Sequence, residues 1–142
     1  MQNNLNQGFE DFLIRHGDYE NDRALVTSTW LNSYYDALPE WCNKYPSKNL
    51  YMKHNHDKII EKIQDSNNLL VACNPEDYTH IFGWACIENL DGINVLHYIY
   101  IKPAYRKQGI RKVLTAIELK EMTHYTPKGK CLGLTYNPYR WI

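Results

Sequence analysis

The chain has 142 residues, 44% hydrophobic and 13% aromatic, with 16 lysines and arginines balanced by 16 aspartates and glutamates. That length and apolar content suit one compact domain, 1–142, and leave no room for two full ones. A net charge of zero argues against a general nucleic-acid or membrane-surface role, and no apolar run approaches the ~18 residues of a membrane span.

The polar start "MQNNLNQGFEDF" lacks the basic and apolar blocks of an export signal, so a cytoplasmic protein with a mobile segment 1–10 is expected. "DFLIRHGDY" (Asp11–Tyr19) holds a short apolar core that reads as a strand. "NDRALVTSTWLNSYYDAL" reads as a helix capped by Asn21 or Asp22, with Val26, Trp30, Ser33/Tyr34 and Ala37 at helical spacing. Pro39 and Pro46 punctuate a loop. "NHDKIIEKIQDS" (Asn55–Ser66) reads as a second helix with Ile59, Ile60 and Ile63 inward. "NLLVAC" and "HIFGWACIEN" are strands, and Asp91-Gly92 is a turn signal leading into a further strand, "INVLHYIYI". That strand is apolar on both faces, with Val95, Ile99 and Ile101 on one and Leu96, Tyr98 and Tyr100 on the other, as a central strand would be.

Gly109 to about Glu121 reads as a helix on the stripe Ile110, Val113, Leu114 and Ile117, and "KCLGLTYN" as a last strand. The order β-α-α-β-β-β-α-β predicts an α/β (α+β) fold, a mixed sheet with helices packed on it. Cys42, Cys73, Cys86 and Cys131 are widely spaced and match no CxxC pattern. Cys73 and Cys86 sit in apolar segments, where buried free thiols are expected. His54-x-His56 has no third ligand at sensible spacing, so no metal site is expected.

"YIKPAYRKQGIRKVL" (Tyr100–Leu114) carries the chemistry. A strand ends at Pro103, and a loop with one glycine delivers the chain to a helix start, whose unbonded N–H groups and dipole favour anions. Gly109 removes the Cβ that would block an anion's approach. Arg106, Lys107, Arg111 and Lys112 add positive charge. These local features fit a phosphate cradle and also a solvated basic turn.

Arg106-Lys107-Gln108-Gly109-Ile110-Arg111 resembles the Q/R-x-x-G-x-G/A motif of the GCN5-related N-acetyltransferases. "YIKP" resembles the hydrophobic-x-Pro ending of that family's fourth strand, and the element order follows its first five strands and three helices, from about Phe12 to Asn137. The resemblance implies a mostly antiparallel sheet whose fourth and last strands splay apart around acetyl-CoA. The pantetheine arm would pair with the backbone near Ile99 and Ile101, and Gln108, Gly109, Ile110 and Arg111 would hold the pyrophosphate, flanked by Arg106 and Lys107. Asn137 matches a polar residue that the family places after its fifth strand, facing the cofactor arm. Position 111 is normally Gly or Ala there, so Arg111 is a departure.

The resemblance also implies acetyl transfer to an amine of a small molecule or protein. Family members with a base on strand four carry a carboxylate before the hydrophobic-x-Pro segment; here that stretch has only His97, with Glu88 on the preceding strand as the next candidate. The plainer reading of His97 is a buried, hydrogen-bonded core histidine, and Glu88 reads also as a solvated strand-end charge. The family's acid is a tyrosine on a fourth helix; Tyr136 and Tyr139 are the available substitutes, since the last helix and two strands are expected to be lacking. The acceptor would meet the first two helices near Trp30 and Tyr34, in an aromatic group with Tyr35 and Trp41. Similar short relatives occur among bacteriophage proteins, which implies a host-cytoplasm location. The competing reading is a degenerate member that acts as a binding or inhibitor module. An open last strand predicts a homodimer through that edge.

Overall fold

The computed structural model describes residues 11–37 and 48–141. The expectations for segment 1–10 and for Trp41 and Cys42 lie outside the described residues. In chain order come β1 (Leu13–His16), α1 (Tyr19–Ala37), α2 (Lys48–Ile63), β2 (Leu69–Asn74), β3 (Asp77–Leu90), β4 (Ile93–Ile101), α3 (Ile110–Leu114), β5 (Glu121–Met122), α4 (Pro127–Cys131) and β6 (Thr135–Tyr136). They form one sheet in the order β1-β2-β3-β4-β5-β6. The first four strands are antiparallel neighbours, whereas β5 runs parallel to β4 and β6 parallel to β5. The fold class read from the sequence therefore holds, with β5 and α4 added between the predicted last helix and the last strand. Among the described residues no helix is long and apolar enough to cross a membrane.

Two apolar layers cover the sheet. On one face Val26 and Trp30 of α1 and Ile59 and Ile63 of α2 pack on Val71, Trp84, Cys86 and Tyr98. On the other, Ile110 and Leu114 of α3 pack on Ala72, Phe82, Ala85, Ile87 and Leu96. Trp30 is the hub of the first layer: it stacks on Tyr98 at 5.4 Å and 8° and lies 5.4 Å from Trp84 and 5.3 Å from Trp141. Rings of this size supply the largest single burial terms in a domain this small.

α1 opens at Tyr19, two residues before Asn21 and three before Asp22, the expected caps, with the Asp18 carbonyl accepting the Asp22 amide at 2.7 Å. Asp22 lies inside the first turn, where it accepts the Asp18 amide and pairs through both oxygens with Arg15 of β1. This buried pair ties β1 to α1. α2 begins seven residues earlier than predicted, because no Gly or Pro interrupts 48–63 and Met52 extends the inward face of Ile59, Ile60 and Ile63. The Asp91-Gly92 turn is as expected: φ of 54° and 78° give the left-handed pair that suits a two-residue hairpin.

The helix predicted from Gly109 to Glu121 stops at Leu114. Ile110 and Leu114 find the second layer, but Val113 and Ile117 are exposed. Strand pairing wins over the rest of the stripe: the Asn94 side chain donates to the Glu118 carbonyl at 2.9 Å, and the Lys120 amide donates to the Asn94 carbonyl at 3.1 Å. The strand beside β4 is therefore Glu121–Met122. "KCLGLTYN" contributes only Thr135–Tyr136, and its first residues close α4, whose start is marked by Thr126 accepting the Gly129 amide and by Pro127.

β4 does not alternate as expected. Cys86 faces Tyr98 while Ile87 faces Leu96, so His97 is the extra residue of a bulge. A bulge resets alternation. His97 and Tyr98 both contact the ring cluster of the first layer, opposite Ile99 and Ile101. The sequence reading had placed His97 on the face of Val95 and Ile101.

Candidate functional site

Past Leu96 the sheet divides. The last bond between β4 and the segment after β5 runs from the Thr123 amide to the Leu96 carbonyl, 3.2 Å. Among the described residues no strand pairs with the outer edge of β4 from His97 to Ile101. The Lys102 amide donates to the Phe82 carbonyl of β3 at 2.9 Å. Alternate residues of an antiparallel ladder face the same neighbour, so Ile99 and Ile101 turn their main-chain groups toward the gap. The gap opens into a cleft of about 730 Å³, walled by β4, by Ser33 and Ala37 of α1, and by Thr126 and Lys128 at the start of α4.

The loop after β4 floors the other end. Pro103–Tyr105 forms a tight turn, and the Arg106 side chain returns to donate to the Ile101 carbonyl at 2.8 Å. Lys107 and Gly109 are both left-handed, with φ of 66° and 86°. Left-handed residues alternating with right-handed ones point successive N–H groups into one concavity, a ready anion seat. A Cβ at Gly109 would meet nothing within 4 Å, so φ demands glycine there and the approach is open. A five-residue α3 has a smaller dipole than the predicted helix. The charge at this end comes mainly from Arg106, Lys107, Arg111 and Lys112, with Lys128 opposite.

Of the predicted cofactor residues, Ile99, Ile101, Arg106, Lys107, Gly109, Ile110 and Arg111 border the cleft and Gln108 does not. Arg111 is half-buried and lies along the wall, so the bulk at this position is accommodated. Asn137 lies elsewhere: its amide nitrogen donates to Glu121 and its oxygen accepts the Tyr139 amide. It follows β6, the part of "KCLGLTYN" that is a strand, but β5 separates that strand from β4 and so keeps Asn137 away from the cleft.

The predicted acids and acceptor contacts also fall outside the cleft lining. Tyr136 packs edge-on against Tyr125, and Tyr139 is exposed. Trp30 is the core hub and only 1% exposed. Tyr34 stands edge-on to Tyr98 and His124 behind the wall. A different phenol faces the cleft: the Tyr98 hydroxyl lies 2.9 Å from Ser33 Oγ on α1. Burial raises the Tyr98 pKa despite that bond, so the phenol is a proton donor at neutral pH.

His97 and Glu88 come together, but inside the protein. His97 Nε2 is 2.8 Å from Glu88 Oε1, which also accepts Lys62 Nζ at 3.0 Å. His97 Nδ1 is 2.9 Å from Thr123 Oγ1, and His124 Nδ1 is 3.0 Å from the same oxygen. Burial lowers the His97 pKa although Glu88 opposes it, and burial drives His124 down to about 3. Burial alone would raise Glu88, yet the bonds from His97 and Lys62 outweigh it and the net shift is downward. At neutral pH both rings are neutral and Glu88 is ionised.

Sequence reasoning missed Ser33, Tyr98, Tyr105, Thr126 and Lys128 in the cleft and Thr123 and His124 behind it. One signal for the α4 residues was present: Thr126-Pro127 before "KGK" is a helix-start pattern. Thr123 and His124 carry no local signal, since only the strand pairing brings them to His97.

No protein-family model matches the chain, and no curated protein matches it by sequence. Solved structures do share its fold. The Paia N-acetyltransferase of Thermoplasma acidophilum, in complex with coenzyme A, superposes with a TM-score of 0.53 over 75% of this chain and 68% of its own, at 18% identity. A GCN5-related N-acetyltransferase from Ralstonia eutropha JMP134 superposes with a TM-score of 0.58 over 87% of this chain and 89% of its own, at 14% identity. The chain spans 61% of a further fold neighbour, from Acinetobacter baylyi ADP1. The fold is thus the one that GCN5-related N-acetyltransferases use.

Proposed function

We propose that this protein is an acetyl-CoA-dependent N-acetyltransferase acting on an amine of a small molecule or protein. One observation carries the reading: the unpaired edge of β4 and the basic loop open into the same cleft, on a fold shared with N-acetyltransferases. The residues fit the group. The main-chain groups of Ile99 and the amide of Ile101, whose carbonyl is taken by Arg106, suit an amide-bearing arm, and the left-handed loop with Arg106, Lys107, Arg111 and Lys112 suits a diphosphate.

Bound acetyl-CoA would supply the activated acyl group as a thioester. The chain's own part is to align that group with the amine and to manage two protons. Tyr98, protonated, braced by Ser33 and by its stack on Trp30, and bordering the cleft, would be the donor for the departing thiolate. The amine's proton goes to a base outside the lining, since no Asp, Glu or His borders the cleft among the described residues. That same observation favours a second reading, a fold that binds the cofactor without transferring from it. The homodimer through the sheet edge is also proposed; β6 is the outermost strand, and its Thr135 and Tyr136 are exposed.

Millimolar acetyl-CoA should raise the melting temperature, since a ligand at 100 times its Kd stabilises by about 2.7 kcal/mol. Arg111→Glu and Gly109→Trp should each abolish that shift. No shift with the unmodified protein would end the proposal. A shift without acetylation of any amine in a broad panel would select the second reading.

A further inference from the structure

Behind the cleft, an unbroken line of side chains crosses the sheet from Glu88 on β3 to His124 after β5: Glu88 Oε1, His97 Nε2 and Nδ1, Thr123 Oγ1 and His124 Nδ1, with steps of 2.8, 2.9 and 3.0 Å. Proton accounting gives it a direction. An ionised carboxylate can only accept, so His97 Nε2 carries hydrogen and His97 Nδ1 is a bare acceptor. Thr123 has one hydroxyl proton and must donate it there, which leaves its oxygen to accept from His124 Nδ1–H. The His124 ring also bonds the His97 backbone carbonyl; with Nδ1–H serving both oxygens, His124 Nε2 is the acceptor at the inner end. The ring sits 4.9 Å from Tyr34 and 6.0 Å from Tyr98, a cleft residue, and two positions before Thr126, another. The outer end is wetter, with the Glu88 side chain 20% exposed beside Lys62.

We propose that Glu88, His97, Thr123 and His124 form a proton relay that carries the acceptor amine's proton from the cleft to solvent at Glu88. The inference rests on the acetyltransferase reading above. As the nitrogen–carbon bond forms, the amine's proton passes through a water to His124 Nε2. His124 Nδ1–H moves to Thr123, the Thr123 proton to His97 Nδ1, and His97 Nε2–H to Glu88, which releases it to solvent. Each ring gains one proton as it loses another, so neither becomes charged. The strongly depressed basicity of His124, set by its burial, then opposes a stepwise route but not a concerted one. The groups facing the line are Lys62 from α2, Cys86 and Glu88 from β3, Tyr98 from β4 and Tyr34 from α1.

Two measurements test it. Imidazole nitrogen NMR on the unliganded protein should show His97 as the Nε2–H tautomer and His124 as the Nδ1–H tautomer; His124 carrying its proton on Nε2 overturns the relay without touching the cleft. With an amine that the unmodified protein acetylates, Thr123→Val should lower kcat at least tenfold and move the pH profile. Acetyl-CoA should stabilise this variant as it does the unmodified protein, and Thr123→Ser should restore turnover. Unchanged kcat in Thr123→Val overturns the relay alone, and so does equal loss in both variants. Acetyl-CoA binding without turnover on any amine retires the relay and leaves the cleft. No binding of acetyl-CoA retires both.

Discussion

The two halves of the sheet are built by different means. β2, β3 and β4, of 6, 14 and 9 residues, run in long antiparallel ladders between two apolar layers. β5 and β6 have two residues each, and α3 and α4 have five. The second half is held by point contacts: Thr126 capping α4, Asn94 catching the chain before β5, and Arg140 spanning Asp91 and Glu121. The first half carries the stability and the second carries most of the cleft. That division suits the proposed cofactor site, because binding loops are drawn from the less stable end of a structure.

The largest effect should come from breaking the first half. Trp84 is fully buried, touches Trp30 and Tyr98, and donates its ring N–H to Thr29 at 3.0 Å. Trp84→Ala should cost about 3–5 kcal/mol in urea unfolding; a loss near 1 kcal/mol would mean that the ladders, not the ring layer, hold this half.

The matching change in the second half is Gly129→Ala. Its new Cβ would collide with the buried Met122 sulfur, so the thioether must swing away, at a cost of about 1–3 kcal/mol. Hydrogen exchange should quicken across 120–136 and stay unchanged in β2 and β3. Uniform quickening would show that the halves unfold as one.

The smallest effect is spread over pH and tests the seam between the halves. His97 and His124 are held neutral by burial, so below the ordinary value of 6.5 the unfolded chain binds protons that the folded chain refuses. Stability should be complete above that pH and decline as pH falls toward 3, by about 1.4 kcal/mol per pH unit for each ring refused. Glu88, shifted downward, adds to the loss once the pH falls below its ordinary value of 4.5. Urea midpoints from pH 7 to 4 should show the slope, and His124→Asn should flatten it; an equal slope in the variant would remove His124 from the account.

Short-range signals made the first half legible. Alternating or continuous apolar runs located β2, β3 and β4, Asp91-Gly92 located their hairpin, and the glycine among basic residues located the basic end of the cleft. Each depends on neighbours within a few positions. The misreadings cluster in the second half, where local preferences are weak and distant partners decide. The stripe through Ile117 favours a helix, yet the open edge of β4 takes the chain from Glu118 onward.

By itself, then, the sequence determined the class of fold, the order of its main elements and the place of the basic loop, because these follow from propensity and pattern along the chain. Only the tertiary structure decided which residues meet behind the cleft. The bulge at His97 turns that ring to the same face as Tyr98, and the early end of α3 brings Thr123 and His124 beside it. Both are outcomes of strand pairing between segments far apart in the chain, a competition that no local pattern records.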